Sequence, residues 1–465
     1  MLACAAYSKG VARVRAMATP FSVHTATVPR AIFEPPREYT AAAGAAVLEH
    51  LVGRPAASFW RDVWEREPLH VRASTAPSTN LFGRLLQLAD IDSLLERGAS
   101  VYAATRTPLA NFHDVSLVKR LERDGLPWTG RWGAENETVG IETLKRGFNA
   151  GFSLLVNDVE ARVAAVAAAC SALESYTRIL CNANLYLTPA GAQGFDAHYD
   201  WMDGLVVQLD GAKRWRLYPP IVALPRADLT RKPTAAELAA LPAAAEVELR
   251  EGDVLYLPRG TLHEASTPAD QPQSLHLTIG LNVGEGVTLE GLVHAALDEL
   301  AAAGDGGSAS GGGGGGGELA LLHSGVRAAA ARPELAGLRA TLPLWRAPLE
   351  LYETASVEAL NHTLDGALAL LEPHVRTPVA AARAACENGA RRAQGCALVE
   401  ASAENGAADA RWQPRWQWAA VRAAAPAVVE RSLRRVVRAA EAEAEARQRR
   451  RAVHLGWHGV GAASG

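Results

Sequence analysis

The sequence predicts a mainly β core, a sandwich or barrel, with a helical part before it and a helical end after it. Three textures along the 465 residues carry that prediction. Between Leu180 and Val283, short apolar runs alternate with turn residues at the spacing of a closed or two-layered β architecture. Ahead of it, 41–52 and 161–174 are rich in Ala and Leu, with apolar residues three and four apart as on one helix face. Beyond residue 318 Ala, Arg and Glu dominate, and helical patterning returns around 354–371 and 419–447.

The first 33 residues hold Lys9, Arg13, Arg15 and Arg30 but no acid, Glu34 being the first. That composition fits an organellar targeting segment with a cleavage zone ending at Ala18, or a disordered tail. Within the β region, LVVQL (205–209), Asp210-Gly211 and KRWRLY (213–218) read as a hairpin, because Asp-Gly suits a tight turn. EVELR (246–250) and VLYLP (254–258) read as a second turn-linked pair, and SLHLTIGLNV (274–283) alternates like a half-buried strand. Residues 302–318 are too rich in glycine to pack a core and read as a flexible linker.

Composition removes several classes. Lys and Arg number 47 against 50 Asp and Glu, a net charge of −3, so no broad basic surface for nucleic acid is expected. Five cysteines, at positions 4, 170, 181, 386 and 396, form no CxxC pair and no disulfide framework, which points to a reducing compartment. No apolar run reaches the ~18 residues of a membrane helix.

Chemistry concentrates in GFDAHYDWMDG, where His198 and Asp200 stand two apart. On an extended strand such residues point to one side, so imidazole and carboxylate converge; on a helix they diverge. His263, following VLYLP and a Pro258-Arg259-Gly260 turn, is the candidate second histidine. Two histidines and a carboxylate form the facial triad that holds non-haem Fe(II). Lys213 opens the apolar strand after Asp210-Gly211. It reads either as a solvated edge residue or as a point charge for the distal carboxylate of a dicarboxylic cosubstrate.

Four segments in order then resemble one family. NxYLTPxxxQGFxxHYD (Asn184 to Asp200), QLxGxKRWRLYPP (Gln208 to Pro220), GDxLYLPRGxxHEA (Gly252 to Ala265) and SLHLT (Ser274 to Thr278) resemble the ribosomal oxygenases. These are JmjC-type protein-histidine hydroxylases, of the bifunctional lysine-specific demethylase and histidyl-hydroxylase type. FWRDVWEREPLHVR (59–72) resembles that family's opening segment, and the likeness covers about 35–285. It implies a double-stranded β-helix (JmjC, cupin-like jelly roll) barrel, with an N-terminal helical segment and a C-terminal helical region. It also implies an oxidoreductase, a dioxygenase using Fe(II), 2-oxoglutarate as cosubstrate and O2. By the same resemblance His198, Asp200 and His263 bind the metal and Lys213 the 2-oxoglutarate carboxylate; Asn184 and Ser274 line the cosubstrate pocket, and Tyr186 lies near the substrate. His276 reads as structural.

The implied partner is a protein substrate, most specifically a histidine of a ribosomal protein, in the nucleus or nucleolus. A chloroplast or mitochondrial location is the alternative from the acid-free N-terminus. Histone lysine demethylation is the alternative activity, and a non-catalytic JmjC binding module or a cupin isomerase are readings from other classes. The expected organisation is 1–33 targeting segment or tail, 34–160 N-terminal α/β part of the oxygenase, and 161–285 β-helix core. There follow helical 286–301 and 319–371, a dimerisation region by resemblance, interrupted by 302–318, then an Ala/Arg-rich helical 372–465. The family's winged helix is not readable in the last segment, where Trp412, Trp416 and Trp418 stand before an Arg-rich helix. The RQRRR cluster (447–451) reads as a solvated helix end or a weak nuclear signal.

Overall fold

A computed structural model of the chain describes residues 22–74, 81–96, 112–123, 125–137, 139–284, 288–304, 315–341, 369, 371, 438–439 and 441–451. The acid-free stretch before residue 22, the tryptophans at 412, 416 and 418, and most of 354–371 and 419–437 lie outside them. Two compact units emerge: Ala18–Val283 with Ala440–Gly465, and Met1–Met17 with Gly284–Ala439.

The first unit opens with β1 (His24–Val28), α1 (Ala41–Val52), α2 (Ala56–Asp62) and β2 (Leu69–Ala73). α1 begins where the Thr40 hydroxyl accepts the Ala43 N–H at 3.1 Å, an N-cap worth about 1 kcal/mol. Its apolar positions Val47, Leu48, Leu51 and Val52 are buried. α3 (Ile91–Glu96), β3 (Val115–Arg123), β4 (Leu126–Arg131), α4 (Ile141–Asn149), β5 (Ser153–Val156) and α5 (Ala164–Thr177) follow. The helix expected over 161–174 thus starts three residues later, after a single 3-10 turn at Val159–Ala161.

The barrel is built on three long strands, β6 (Leu180–Pro189), β7 (Asp203–Tyr218) and β11 (Gln273–Asn282). One sheet runs β1-β2-β9-β7-β11-β6-β5-β3-β4, and β8 (Ala245–Arg250) and β10 (Leu262–Ser266) pair with β7 off that path. β9 (Val254–Leu257) joins the first half of β7, Gly204 to Val207, while β8 and β10 flank its second half. β7 therefore belongs to both walls and turns the corner between them.

That corner corrects the expected hairpin. Asp210 and Gly211 lie inside β7, not between two strands. The pairing with β11 shifts register there, Leu275 facing Asp210 while His276 faces Gln208, so Leu209 is the extra residue of a bulge. Gly211 has φ 65, and a Cβ on it would lie 2.1 Å from the Gln273 carbonyl oxygen, so the bend needs glycine. β8 and β9 are turn-linked as expected, yet each pairs with β7 rather than with the other. β11 is buried on both faces instead of one: Leu275, Leu277, Ile279 and Leu281 fill one side, while Ser274 and His276 are equally enclosed on the other.

The helix over 441–451 packs within this same unit, and the solvated-end reading of RQRRR is overturned there. Arg449 and Arg450 are exposed, but Arg451 is fully buried. Its guanidinium donates to Glu174 Oε2 at 2.8 Å, Ser171 Oγ at 3.1 Å and the Cys181 carbonyl at 3.2 Å. A buried guanidinium is tolerated only with extensive pairing of this kind. In the second unit, α6 (Leu289–Gly304) and α7 (Gly315–Ala330) bracket residues 305–314, so the glycine-rich run is helical at both of its ends. A short helix, Ala235–Ala239, lies in the β7–β8 connection.

Candidate active site

The site forms where an extended segment after β6 meets the start of β10. His198 and His263 face each other in an antiparallel bridge and exchange two backbone hydrogen bonds, N–H to C=O at 3.0 and 2.8 Å. Their rings follow, with centroids 4.4 Å apart. His198 Nδ1 lies 2.8 Å from the Asp196 carbonyl oxygen, and His263 Nδ1 lies 2.9 Å from that of Thr261. A carbonyl only accepts, so each Nδ1 carries the proton and each Nε2 presents its lone pair. Both lone pairs are thereby fixed before any ion arrives.

Asp200 completes the cluster. One ligand atom from each of His198, Asp200 and His263 can be chosen so that all lie within 4.8 Å of one another. Asp200 Oδ2 stands 3.8 Å from His263 Nε2, and its side chain is 47% exposed, which marks the mouth of the site. Its backbone is held too, the carbonyl accepting the Gly260 N–H at 2.9 Å. Gly260 sits at φ 88, and a Cβ there would lie 2.4 Å from the Val222 carbonyl oxygen. Burial and the neighbouring His198 hold His263 well below the usual imidazole range, so it is neutral and able to ligate.

A cleft of about 700 Å³ runs inward from the cluster, lined among others by Tyr186, Thr188, Lys213, Trp215 and His276. Lys213 is 3% exposed, which removes the solvated-edge reading. Its Nζ donates to Thr188 Oγ1 at 2.6 Å, and burial pushes its ammonium down to about 7. Among the described residues no carboxylate pairs with it. Tyr186 and His276 stack face to face at 4.7 Å, and Trp215 meets His276 edge-on at 5.6 Å. Burial, then Lys213, keep His276 neutral.

Asn184 shares its β6 face with Tyr186 and Thr188, and Ser274 shares its β11 face with His276, directly opposite Thr188. The Ser274 hydroxyl accepts from Gln208 Nε2 at 2.9 Å, and the Asn184 side chain hydrogen-bonds the Tyr186 hydroxyl. Thr188 and Trp215, not singled out from the sequence, line the cleft wall. Both were readable in principle: Thr188 is two residues from Tyr186, and Trp215 two from Lys213, so each shares a strand face with a residue already singled out.

The β-helix barrel with two histidines and a carboxylate at its mouth has the JmjC fold. Residues 157–289 match the JmjC domain family. The chain is homologous to curated proteins of that class. It is 31% identical over 225 residues to the Drosophila persimilis bifunctional lysine-specific demethylase and histidyl-hydroxylase NO66, covering 48% of this chain and 29% of that one. It is 31% identical over 232 residues to Bos taurus ribosomal oxygenase 2, covering 48% and 44%. It thus spans less than half the length of either relative. A crystal structure of Escherichia coli ribosomal oxygenase YcfD is similar over 55% of this chain and 58% of its own, at 19% identity and a TM-score of 0.35. No helix among the described residues is long and apolar enough to cross a membrane.

Proposed function

We propose that this chain is an Fe(II)- and 2-oxoglutarate-dependent oxygenase that hydroxylates a protein side chain. The observation that carries the reading is the pairing of two features in one cleft. His198, Asp200 and His263 converge with both imidazole Nε2 lone pairs pre-aimed. Behind them stands a buried lysine with a hydroxyl as its hydrogen-bond partner. The donor set fits Fe(II): borderline imidazoles and a hard carboxylate on one side of the ion leave the other side open.

His198, Asp200 and His263 would hold the ion. With it bound, the site supplies oxidative chemistry in which 2-oxoglutarate and O2 become succinate and carbon dioxide, one oxygen atom passing into a substrate C–H bond. Lys213 would meet the distal carboxylate of the keto acid, gaining in the complex the counter-charge its burial denies it. The Thr188 hydroxyl, already on Nζ, fixes the ammonium's direction. Trp215, His276 and Tyr186 make the cleft wall dry and rigid, which strengthens that ion pair. The half-exposed Asp200 puts the acceptor side chain at the mouth, where a protein segment can reach it.

The relatives named ribosomal oxygenase and histidyl-hydroxylase support a ribosomal-protein histidine as substrate, and the demethylase in one of those names keeps histone lysine as the alternative. Retained ligands and Lys213 count against a purely binding module, which has no need of them. Intact-mass analysis of ribosomal proteins incubated with enzyme, Fe(II) and 2-oxoglutarate should give a one-oxygen gain. Methylated histone peptides losing a methyl group instead would favour the alternative. Absence of succinate release under every condition would remove the oxygenase reading. Nuclear or nucleolar residence follows from the same reading, and a C-terminal fluorescent fusion tests it.

A further inference from the structure

Behind the metal cluster lies a second charged cluster that the proposed chemistry does not use. Arg259, in the turn between β9 and β10, is 4% exposed. Its Nη1 stands 2.8 Å from Glu65 Oε1 and 3.3 Å from Asp203 Oδ2, and its backbone N–H reaches Asp203 Oδ1 at 3.3 Å. The Tyr256 hydroxyl donates to Asp203 Oδ1 at 2.7 Å and accepts the Glu65 N–H at 2.9 Å. Glu65 belongs to the FWRDVWERE stretch, just after α2, and takes φ 57, a conformation that non-glycine residues adopt only when held.

Position gives this cluster its meaning. Asp203 lies three residues after the ligand Asp200, and Arg259 four before the ligand His263. Asp200 to Met202 and Arg259 to Thr261 are irregular, and Gly260, next to Arg259, already grips the Asp200 carbonyl. Between the His198–His263 bridge on one side and the Arg259–Asp203 contact on the other, the two ligand-bearing segments are pinned at both ends.

We infer that the buried Glu65–Arg259–Asp203 bridge is the positioning element that sets the spacing of Asp200 against His263, so that the N-terminal segment tunes metal affinity. This rests on the metal site proposed above. Glu65 supplies what the two segments lack. A guanidinium facing Asp203 alone would share one carboxylate with the Tyr256 hydroxyl; the Glu65 carboxylate adds a shorter, 2.8 Å contact on the same Nη1. The link to the ligands runs through the backbone, from the Arg259 N–H on Asp203 and the adjacent Gly260 N–H on the Asp200 carbonyl.

Co(II) titration reads this directly, by its visible d–d absorption and by calorimetry on the purified full chain, with a separate thermal melt of the metal-free protein. In Glu65→Gln and Arg259→Lys, Co(II) affinity should fall by about 10- to 100-fold, the usual cost of disturbing groups behind metal ligands. The d–d envelope should change shape as well, which a merely structural contact would not do in protein that still melts cooperatively. Glu65→Gln, nearly isosteric, decides the matter if Arg259→Lys does not fold. Wild-type affinity and spectrum in a folded Glu65→Gln protein overturn the inference while leaving the metal site intact. No Co(II) binding by the wild type overturns the metal site, and the inference with it.

Discussion

His198 and His263, far apart in the chain, hold each other by two backbone hydrogen bonds of 3.0 and 2.8 Å before any side chain is considered. The bridge lets the two imidazoles approach to 4.4 Å between centroids without strain on either strand. Carbonyls of Asp196 and Thr261 then orient each ring from behind. The metal geometry is thus largely a property of main chain, and only the ligand atoms are contributed by side chains.

The first prediction concerns those ligand atoms. His198→Ala and Asp200→Ala should each lower divalent-metal affinity by about 100-fold or more, beyond what a change behind the ligands costs, and abolish succinate release. Metal analysis after gel filtration, alongside a cooperative melt, checks it. Wild-type metal content in His198→Ala would mean the ion sits elsewhere.

Lys213 gives the second. A charge-assisted hydrogen bond contributes about 1.5–3 kcal/mol, so Lys213→Ala should raise the half-saturating 2-oxoglutarate concentration by about 10- to 150-fold with metal binding intact. Lys213→Arg should recover only part, because a forked guanidinium does not fit a point-charge site already closed by Thr188. An unchanged half-saturation in both variants would detach the keto acid from this lysine.

A pH dependence follows from the same residue. Burial holds the Lys213 ammonium down to about 7 in the empty cleft, with neutral His276 beside it and Thr188 as its hydrogen-bond partner. A carboxylate ligand favours the charged form, so binding takes up a proton whenever the empty site has lost one. Below pH 7 affinity should be flat with respect to this group. Above it, affinity should fall by up to about tenfold per pH unit. Calorimetry at pH 8 in two buffers of different ionisation enthalpy should detect proton uptake. Equal heats in both would contradict it.

The fourth prediction tests the C-terminal helix. Removing one partner of a buried pair costs about 3–5 kcal/mol, so Arg451→Ala should destabilise the barrel unit by that order: Glu174 loses its 2.8 Å partner, with Arg447 remaining at 3.6 Å from Glu160 and 3.9 Å from Glu174. Arg449→Ala and Arg450→Ala, at exposed positions, should stay within about 0.5 kcal/mol of wild type. Urea denaturation of the three variants compares them; equal midpoints would return Arg451 to the solvent-facing role its neighbours play.

Much was legible in the residues because the signals were local. The HxD pair needs only an extended backbone to converge, and the helix over 41–52 matches its three- and four-residue pattern to the residue. A β-rich middle between two helical parts follows from periodicity alone. Other features depended on partners far along the chain. Asp210-Gly211 suits a hairpin turn and a bulge equally, and pairing with β11 selected the bulge. Arg451 looks like any exposed basic residue until α5 supplies Glu174 beside it. Ser274 and Thr188 pair directly and share one sheet face, yet Thr188 meets the Lys213 ammonium while Ser274 takes the Gln208 amide, a choice made by long-range packing. Glu65, Asp203 and Arg259 carry no mark of kinship in the sequence; long-range packing alone brings one guanidinium between two carboxylates. What the sequence by itself determined was the identity of the chemistry-bearing groups and the local elements that carry them. Which groups share a wall, which charges are buried, and how tightly the ligands are spaced were decided by tertiary structure, since burial and register arise only when distant strands pair.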